Sequence, residues 1–173
     1  KRITPRTTLL MLTTPGNPTG TMMDRASLER LSKICIEHDI IVVSDEAYER
    51  VLYDGNEHIS IASLPGMWER TVTIQSFSKS HSMCGFRIGY IAASKNLLNI
   101  LIRCHQKIAL CATSISQYAA LAALEHEKEE SGEVQHMLCE FDKRRMVIYN
   151  TFKELNIPCN KPQAAFYVFP NVS

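Results

Sequence analysis

The chain has 173 residues, of which 45% are apolar and 21% are charged. This composition supports one ordinary domain with a hydrophobic core and argues against a disordered chain. The formal net charge of +1 argues against nucleic-acid or membrane-surface binding, which needs a basic patch or stripe. No apolar run reaches the length of a membrane span. The basic triplet Lys143, Arg144 and Arg145 lies beside acidic residues, so we interpret it as a solvated helix face.

The six cysteines are scattered and form no CxxC pair. At this length they are interpreted as reduced thiols of an intracellular protein, and we expect a cytoplasmic location. The pairs Cys35/His38 and His81/Cys84 have the spacing of metal ligands. Since no second pair stands at a finger-like distance from either, no metal site is predicted.

Both ends of the sequence have the character of interior segments. There is no initiator methionine and no signal or transit pattern. The first residues, KRITPRTTLLMLTTP, lead directly into a strand-like run, and the last, AAFYVFPNVS, stop just after another. We therefore expect the chain to be an excerpt from a longer one.

Strand-like and helix-like segments alternate in the first half of the chain. A predicted strand at Thr8–Thr13 ends in the turn-rich sequence TPGNPTG. A helix is predicted over about 24–37, with Thr21 or Asp24 as its cap. The β-branched run DIIVVSDEAY indicates a strand buried on both faces, and TVTIQS and IGYIAAS predict two more strands.

Helices dominate the second half. Ser94 is predicted to cap a helix that runs to about Leu110, and SISQYAALAALEHE is a second helix. A third and longer helix is predicted from about Glu133 to Leu155, bracketed by Gly132 and Pro158. The tail after it has the alternation of a new strand.

The order of elements predicts an α/β fold with a mainly parallel sheet flanked by helices. In such sheets the ligand lies outside the carboxyl ends of the strands. Chemically useful side chains should therefore cluster where strands end and loops begin. The polar residues at these positions are Asn17, Asp45, Tyr48, Ser76, Ser78, Lys79 and Arg87.

Each of these residues taken alone has an ordinary structural interpretation. Asn17 could serve only the turn, Lys79 could be a solvated cation, and Arg87 could pair with a carboxylate. The combination indicates more, because one ligand would use all of them. That ligand is a pyridine ring that carries an aldehyde, a phenolic oxygen and a phosphate.

The aldehyde needs a primary amine to form a Schiff base, and Lys79 supplies one. A carboxylate at Asp45 would keep the ring nitrogen protonated by charge attraction. Asn17 and Tyr48 would donate hydrogen bonds to the phenolic oxygen.

The phosphate needs hydroxyl groups and a guanidinium fork, which Ser76 and Arg87 provide, with Ser78 assisting. Small residues around Lys79 let a bulky group approach the backbone. The sequence therefore predicts pyridoxal 5′-phosphate as the cofactor.

Three motifs, NPTG, SDEAY and SFSKSHSMCGFRIGY, stand in that order. They resemble the class I/II aminotransferases, the pyridoxal-phosphate enzymes of the aspartate aminotransferase fold (fold type I). The closing KPQAAFYVFP is similar to the family's approach to its small C-terminal domain, where a glycine commonly stands near Ala164 or Ala165. The resemblance covers essentially the whole chain.

The resemblance implies three parts: residues 1–130 of a large cofactor-binding domain, a connecting helix over 131–156, and the beginning of a small α+β domain at 157–173. It gives the roles argued above to Asn17, Asp45, Tyr48, Ser76, Lys79 and Arg87, with Lys79, Asp45 and Tyr48 as the catalytic ones. Ser78 keeps only the assisting role argued from its chemistry. It also implies a homodimer whose sites lie at the interface. The family's N-terminal phosphate donors and its substrate-carboxylate arginine fall outside this sequence, and we do not assign the latter role to Arg103, Arg144 or Arg145.

The expected activity is transfer of an amino group from an amino acid of the aspartate or aromatic type to a 2-oxo acid. Lys79 would remove the Cα proton as general base and return it to the C4′ carbon of the cofactor as general acid. Two alternatives stay open. One is a C–S lyase or cyclising synthase on the same fold, and the other is a non-enzymatic cofactor-sensing domain of a transcription regulator.

Overall fold

A computed structural model describes residues 3–127 and 132–173. Its four strands are β1 (Leu9–Thr13), β2 (Ile41–Asp45), β3 (Thr71–Ser76) and β4 (Gly89–Ala93). Its α-helices are α1 (Arg25–Glu37), α2 (Phe77–Ser80), α3 (Lys95–Ile108), α4 (Ser114–Glu127) and α5 (Glu133–Glu154). The strands form one sheet in the order β1-β2-β3-β4, in which the first three are parallel. The prediction of a mainly parallel sheet with flanking helices is confirmed.

Strand β4 runs antiparallel to β3, which the alternation of strands and helices did not predict. The connection between them holds only α2 and a short 3-10 turn at Cys84–Phe86. A parallel return usually needs a full crossover helix, and the four residues of α2 are too few to carry the chain back along the sheet. The short connection instead brings Gly89 back opposite Ser76.

Helix α1 begins at the residue that the sequence suggested. Asp24 is its N-cap, and its Oδ1 accepts a hydrogen bond of 2.7 Å from the backbone N–H of Ser27. The hydrogen bonds from Ser27 lower the pKa of the Asp24 carboxyl. The buried side of α1 carries Leu28 and Cys35, which pack with Val42 of β2 in the main apolar core.

The predicted N-cap of α3 is confirmed in position, but it does not cap the helix with its side chain. Ser94 precedes the helix, but its side chain makes no capping hydrogen bond, and its buried Oγ has no partner among the described residues. The strand that it follows carries it into the interior, away from the open N–H groups of the first turn. Within the part of the chain that the structure describes, no helix has the length and apolar character needed to cross a membrane.

The predicted strand in the tail is also wrong. Among the described residues the tail forms only the isolated bridges Leu52↔Ala164 and Cys159↔Pro170. Backbone hydrogen bonds fix it to the body of the protein, including Ala165 N–H to Val51 O at 2.8 Å. Ala165 has φ +60°, a left-handed conformation that favours glycine.

Arg145 does not belong to a solvated face. Its side chain is 3% exposed, whereas those of Lys143 and Arg144 are 71% and 72% exposed. Its guanidinium donates two hydrogen bonds to Asp54, at 2.9 and 3.0 Å.

The same guanidinium reaches three further groups. It donates to the carbonyl oxygen of Pro162 at 2.6 Å and to Asp142 at 2.8 Å, and its Cζ lies 4.2 Å from the ring centroid of Tyr53. Burial opposes its charge, but the hydrogen bonds to Asp54 and Asp142 outweigh burial and raise the pKa of Arg145. Arg145 therefore joins α5, the loop after β2 and the tail, and sequence charge alone could not distinguish it from its neighbours.

We expect the substitution Arg145→Met to lower the free energy of unfolding by about 2–3 kcal/mol, because it leaves a buried carbonyl without a donor. The loss should stay below that of a fully buried ion pair, since Asp54 and Asp142 can turn to water. The matched control is Arg144→Met, which removes an exposed guanidinium one residue away. Urea unfolding followed by circular dichroism measures both, and equal stability of the two variants would contradict this account.

The backbone of β4 at Gly89 lies against the backbone of β3 and leaves no room for a side chain. A Cβ at this position would lie 2.5 Å from the backbone oxygen of Gln75, whereas a Cβ at Gly85 would meet nothing within 4 Å. We expect Gly89→Ala to cost about 1–3 kcal/mol of stability, because the clash is with backbone and the strands must separate. Gly85→Ala is the control and should melt within a degree or two of the parent protein. A Gly89→Ala variant with the same thermal midpoint as Gly85→Ala would show that the strand pair is loose.

Candidate functional site

The carboxyl ends of the three parallel strands form one edge of the sheet. The ladder continues past the ends, because Thr14 N–H donates to Asp45 O at 3.1 Å and Glu46 N–H donates to Ile74 O at 3.0 Å. The polar residues singled out in the sequence follow these strand ends. The edge is therefore well ordered where a ligand of such a sheet would bind.

Asp45 ends β2 with a half-buried side chain. Its Oδ1 accepts a hydrogen bond of 3.2 Å from Ala47 N–H, so the carboxylate also caps the following turn. The turn closes with Glu49 N–H donating to Glu46 O at 2.9 Å. Tyr48 lies within this turn and is buried.

The pKa of the Tyr48 phenol is raised well above its ordinary value. Burial raises its pKa first, followed by its hydrogen bond to Tyr167 and the nearby charges of Tyr167, Asp45 and Cys84. Its ring packs edge-on against Phe166, with centroids 5.2 Å apart. Tyr48 is therefore a neutral phenol at any ordinary pH.

Lys79 stands in the last turn of α2 with a half-exposed side chain. Its Nζ lies 6.0 Å from the ring centroid of Phe166 and 4.0 Å from Sγ of Cys84. Phe166 and Cys84 are also the neighbours of Tyr48. The amine and the phenol thus share two neighbours, and the Asp45 carboxylate lies near enough to the phenol to raise its pKa.

Ser76 caps α2. Its Oγ accepts a hydrogen bond of 3.2 Å from Ser78 N–H, which leaves the hydroxyl hydrogen of Ser76 able to donate to another group. Ser78 is buried, and its carbonyl oxygen accepts a hydrogen bond of 3.0 Å from Sγ of Cys84. Of the two serines, Ser76 is the one more open to a ligand.

Arg87 follows the 3-10 turn with φ +52°, a left-handed conformation that is uncommon for a residue with a side chain. Its guanidinium donates a hydrogen bond of 2.8 Å to Cys84 O and is otherwise exposed. The hydroxyl of Ser116 in α4 stabilises this turn by donating a hydrogen bond of 2.6 Å to Phe86 O. The remaining N–H groups of Arg87 are available to an anion.

Asn17 lies in the turn after β1, at the same edge of the sheet, and its side chain is exposed. The backbone of this turn is closed by Gly20 N–H donating to Gly16 O at 2.9 Å. Within residues 3–127 and 132–173, no hydrogen bond links Asn17 to another of the seven candidate residues. The fold brings Asn17 to the edge without joining it to the others.

Sequence reasoning missed two aromatic residues at this edge. Phe166 contacts Tyr48 and approaches Lys79, and the hydroxyl of Tyr167 bonds that of Tyr48. The motif KPQAAFYVFP contained both, but its resemblance pointed to the start of another domain. A local pattern carries no signal for a contact across 119 residues.

The arrangement fits a cofactor of the kind that the sequence predicts. The donor set comprises a primary amine, a carboxylate, a phenol, an open hydroxyl and a guanidinium, which together match an aldehyde, a ring nitrogen, a phenolic oxygen and a phosphate. No group of three or more histidine, cysteine and acidic residues in the described ranges could hold a metal ion. All six cysteines are free.

Known proteins resemble the chain along nearly its whole length. It is 40% identical over 172 residues to an aspartate aminotransferase of Pyrococcus abyssi and to aromatic-amino-acid aminotransferase 2 of Thermococcus litoralis. In each case the match covers 99% of this chain and 44% of the relative. The chain thus spans less than half the length of these relatives.

The fold of the chain also matches solved structures of aminotransferases. An aromatic aminotransferase from Pyrococcus horikoshii superposes with a TM-score of 0.93 at 39% identity, over 99% of this chain and 46% of that one. The model of the family described as aminotransferase class I and II matches residues 1–173. The chain belongs to the class I and II aminotransferase family.

Proposed function

We propose that the protein is a pyridoxal-phosphate-dependent aminotransferase that moves an amino group from an amino acid to a 2-oxo acid. The observation that carries this proposal is the gathering of the Lys79 amine and the Tyr48 phenol around Phe166 and Cys84, with the Asp45 carboxylate beside the phenol. Family membership supports the same class of reaction. When bound, the cofactor supplies an aldehyde that condenses with amines and a ring that accepts electrons.

Lys79 holds the cofactor through its Nζ and moves the proton. Its amine, once freed by the incoming amino acid, would take the proton from Cα as general base and deliver it to the C4′ carbon of the cofactor as general acid. The side chain is half-exposed and lies over an aromatic ring, so it can swing between the two tasks. The nearby thiol of Cys84, 4.0 Å away, is not a permanent ion-pair partner that would hold it in place.

Asp45 keeps a proton on the ring nitrogen, because a carboxylate beside that nitrogen favours its cationic form. Tyr48 and Asn17 donate hydrogen bonds to the phenolic oxygen. Ser76 and Arg87 hold the phosphate. The buried Ser78 supports Ser76, because its backbone N–H donates a hydrogen bond to Ser76 Oγ.

The donors we propose are aspartate-like or aromatic amino acids, since relatives with both names match the chain equally well. We also propose a homodimer in the cytoplasm. Several large apolar side chains around α3 and α4 are exposed, and surfaces of this kind are usually covered by other protein. The most exposed of them are Ile108, Leu110, Ile115 and Tyr118.

We expect Lys79→Ala to abolish covalent attachment of pyridoxal phosphate. Borohydride reduction of the purified protein with the cofactor should fix one cofactor on the peptide that contains Lys79, as read by mass spectrometry. Lys95→Ala, which removes an exposed helical lysine, is the control and should label like the parent. Equal labelling of the Lys79→Ala variant would overturn the assignment.

We expect amino-group transfer from aspartate or an aromatic amino acid to require 2-oxoglutarate as acceptor. The rate should fall about 100-fold or more in Lys79→Ala, the usual size of a general acid–base contribution. Chromatography of the amino-acid and oxo-acid products measures both points. Release of pyruvate and ammonia from cystathionine without any acceptor would instead favour a C–S lyase.

A further inference from the structure

The tail places a second phenol against Tyr48. The hydroxyl groups of Tyr48 and Tyr167 are hydrogen-bonded, and the two rings meet edge-on with centroids 5.5 Å apart. The position of Tyr167 is set by hydrogen bonds of the backbone at Ala165, two residues earlier in the tail. There, Ala165 N–H donates to Val51 O at 2.8 Å, and Tyr53 Oη donates to Ala165 O at 2.5 Å.

A phenol has one hydrogen, so the pair can be arranged in two ways. If Tyr48 donates to Tyr167, its hydrogen is used and it can only accept from a ligand. If Tyr167 donates, the hydrogen of Tyr48 is free to point elsewhere. A cofactor with an anionic phenolic oxygen needs a donor, and only the second arrangement makes Tyr48 one.

We propose that Tyr167 is a positioning residue that donates its hydroxyl hydrogen to Tyr48 and so directs the Tyr48 hydrogen toward the phenolic oxygen of the cofactor. This proposal rests on the proposed function. The two hydrogen bonds then run in one direction, and bonds in such a chain strengthen one another. Tyr167 touches no reacting atom and acts through Tyr48 alone.

The surroundings of Tyr48 set the expected direction of the effect. The titratable and charged groups that face it are Asp45 from β2, Cys84 from the 3-10 turn and Tyr167 from the tail, with Lys79 of α2 across Phe166. The phenolic oxygen of the cofactor carries more negative charge when the lysine nitrogen is unprotonated than when the two atoms share a proton. A hydrogen bond from Tyr48 therefore stabilises the unprotonated form more. The lysine-bound cofactor should therefore gain that proton at higher pH when the donor is weakened.

The test is the variant Tyr167→Phe, which keeps the ring packing and removes only the hydroxyl. We expect the pKa reported by the absorbance of lysine-bound pyridoxal phosphate to rise by roughly 0.1–0.5 pH unit, because the variant loses only the strengthening that the Tyr167 bond gives to the Tyr48 bond. The matched control is Tyr90→Phe, which removes the hydroxyl of an exposed tyrosine of β4 whose ring lies against Phe77. It should leave the titration unchanged.

A double variant separates positioning from an independent effect. If Tyr167 acts through Tyr48, then Tyr48→Phe combined with Tyr167→Phe should titrate like Tyr48→Phe alone. A parent-like titration of Tyr167→Phe, or shifts that add in the double variant, would overturn the role of Tyr167. A protein with no lysine-bound absorbance at all would instead overturn the proposed function, so the two failures are distinct.

Discussion

The register of β2 against its neighbours is the constraint on which the site depends. Thr13 pairs with Asp45, and Asp45 pairs with Ile74. Because side chains alternate along a strand, a slip of one residue would exchange the faces of Asp45 and Glu46. Only in the register that is observed is Asp45 half-buried at the carboxyl edge while Glu46 is fully buried.

Glu46 is the side chain that enforces this register. Its carboxylate is 1% exposed and accepts three hydrogen bonds at 2.7–2.8 Å, from Ser44 Oγ, Ser60 Oγ and His58 Nε2. A buried carboxylate without such partners would cost several kcal/mol, so any register that moved it from them is penalised. Ser60 also caps the 3-10 helix at Ile61–Ser63, whose Ile61 lies in the main core. The buried partners of Glu46 thereby fix the position of its neighbour Asp45 at the candidate site.

Features that depend on local chemistry could be predicted from the sequence, and those that depend on distant contacts could not. The strands, the Asp24 cap and the residues at the strand ends follow from patterns of a few neighbouring residues. Arg145 cannot be distinguished from Arg144 in the sequence. It is buried because it binds Asp54, which is 91 residues away in the chain. Ser94 has the right type and position for a cap, but the end of β4 directs its hydroxyl inward.

The tail shows why the site extends beyond its motifs. Arg145 binds Pro162 O, and Tyr53, which stacks on that guanidinium, binds Ala165 O. Burial raises the pKa of Tyr53 to about 12 despite the opposing charge of Arg145, so this phenol stays a neutral donor. A structural ion-pair network thus fixes the backbone two residues before Tyr167. The contact between the two phenols at the candidate site is therefore set by packing on the far side of the tail.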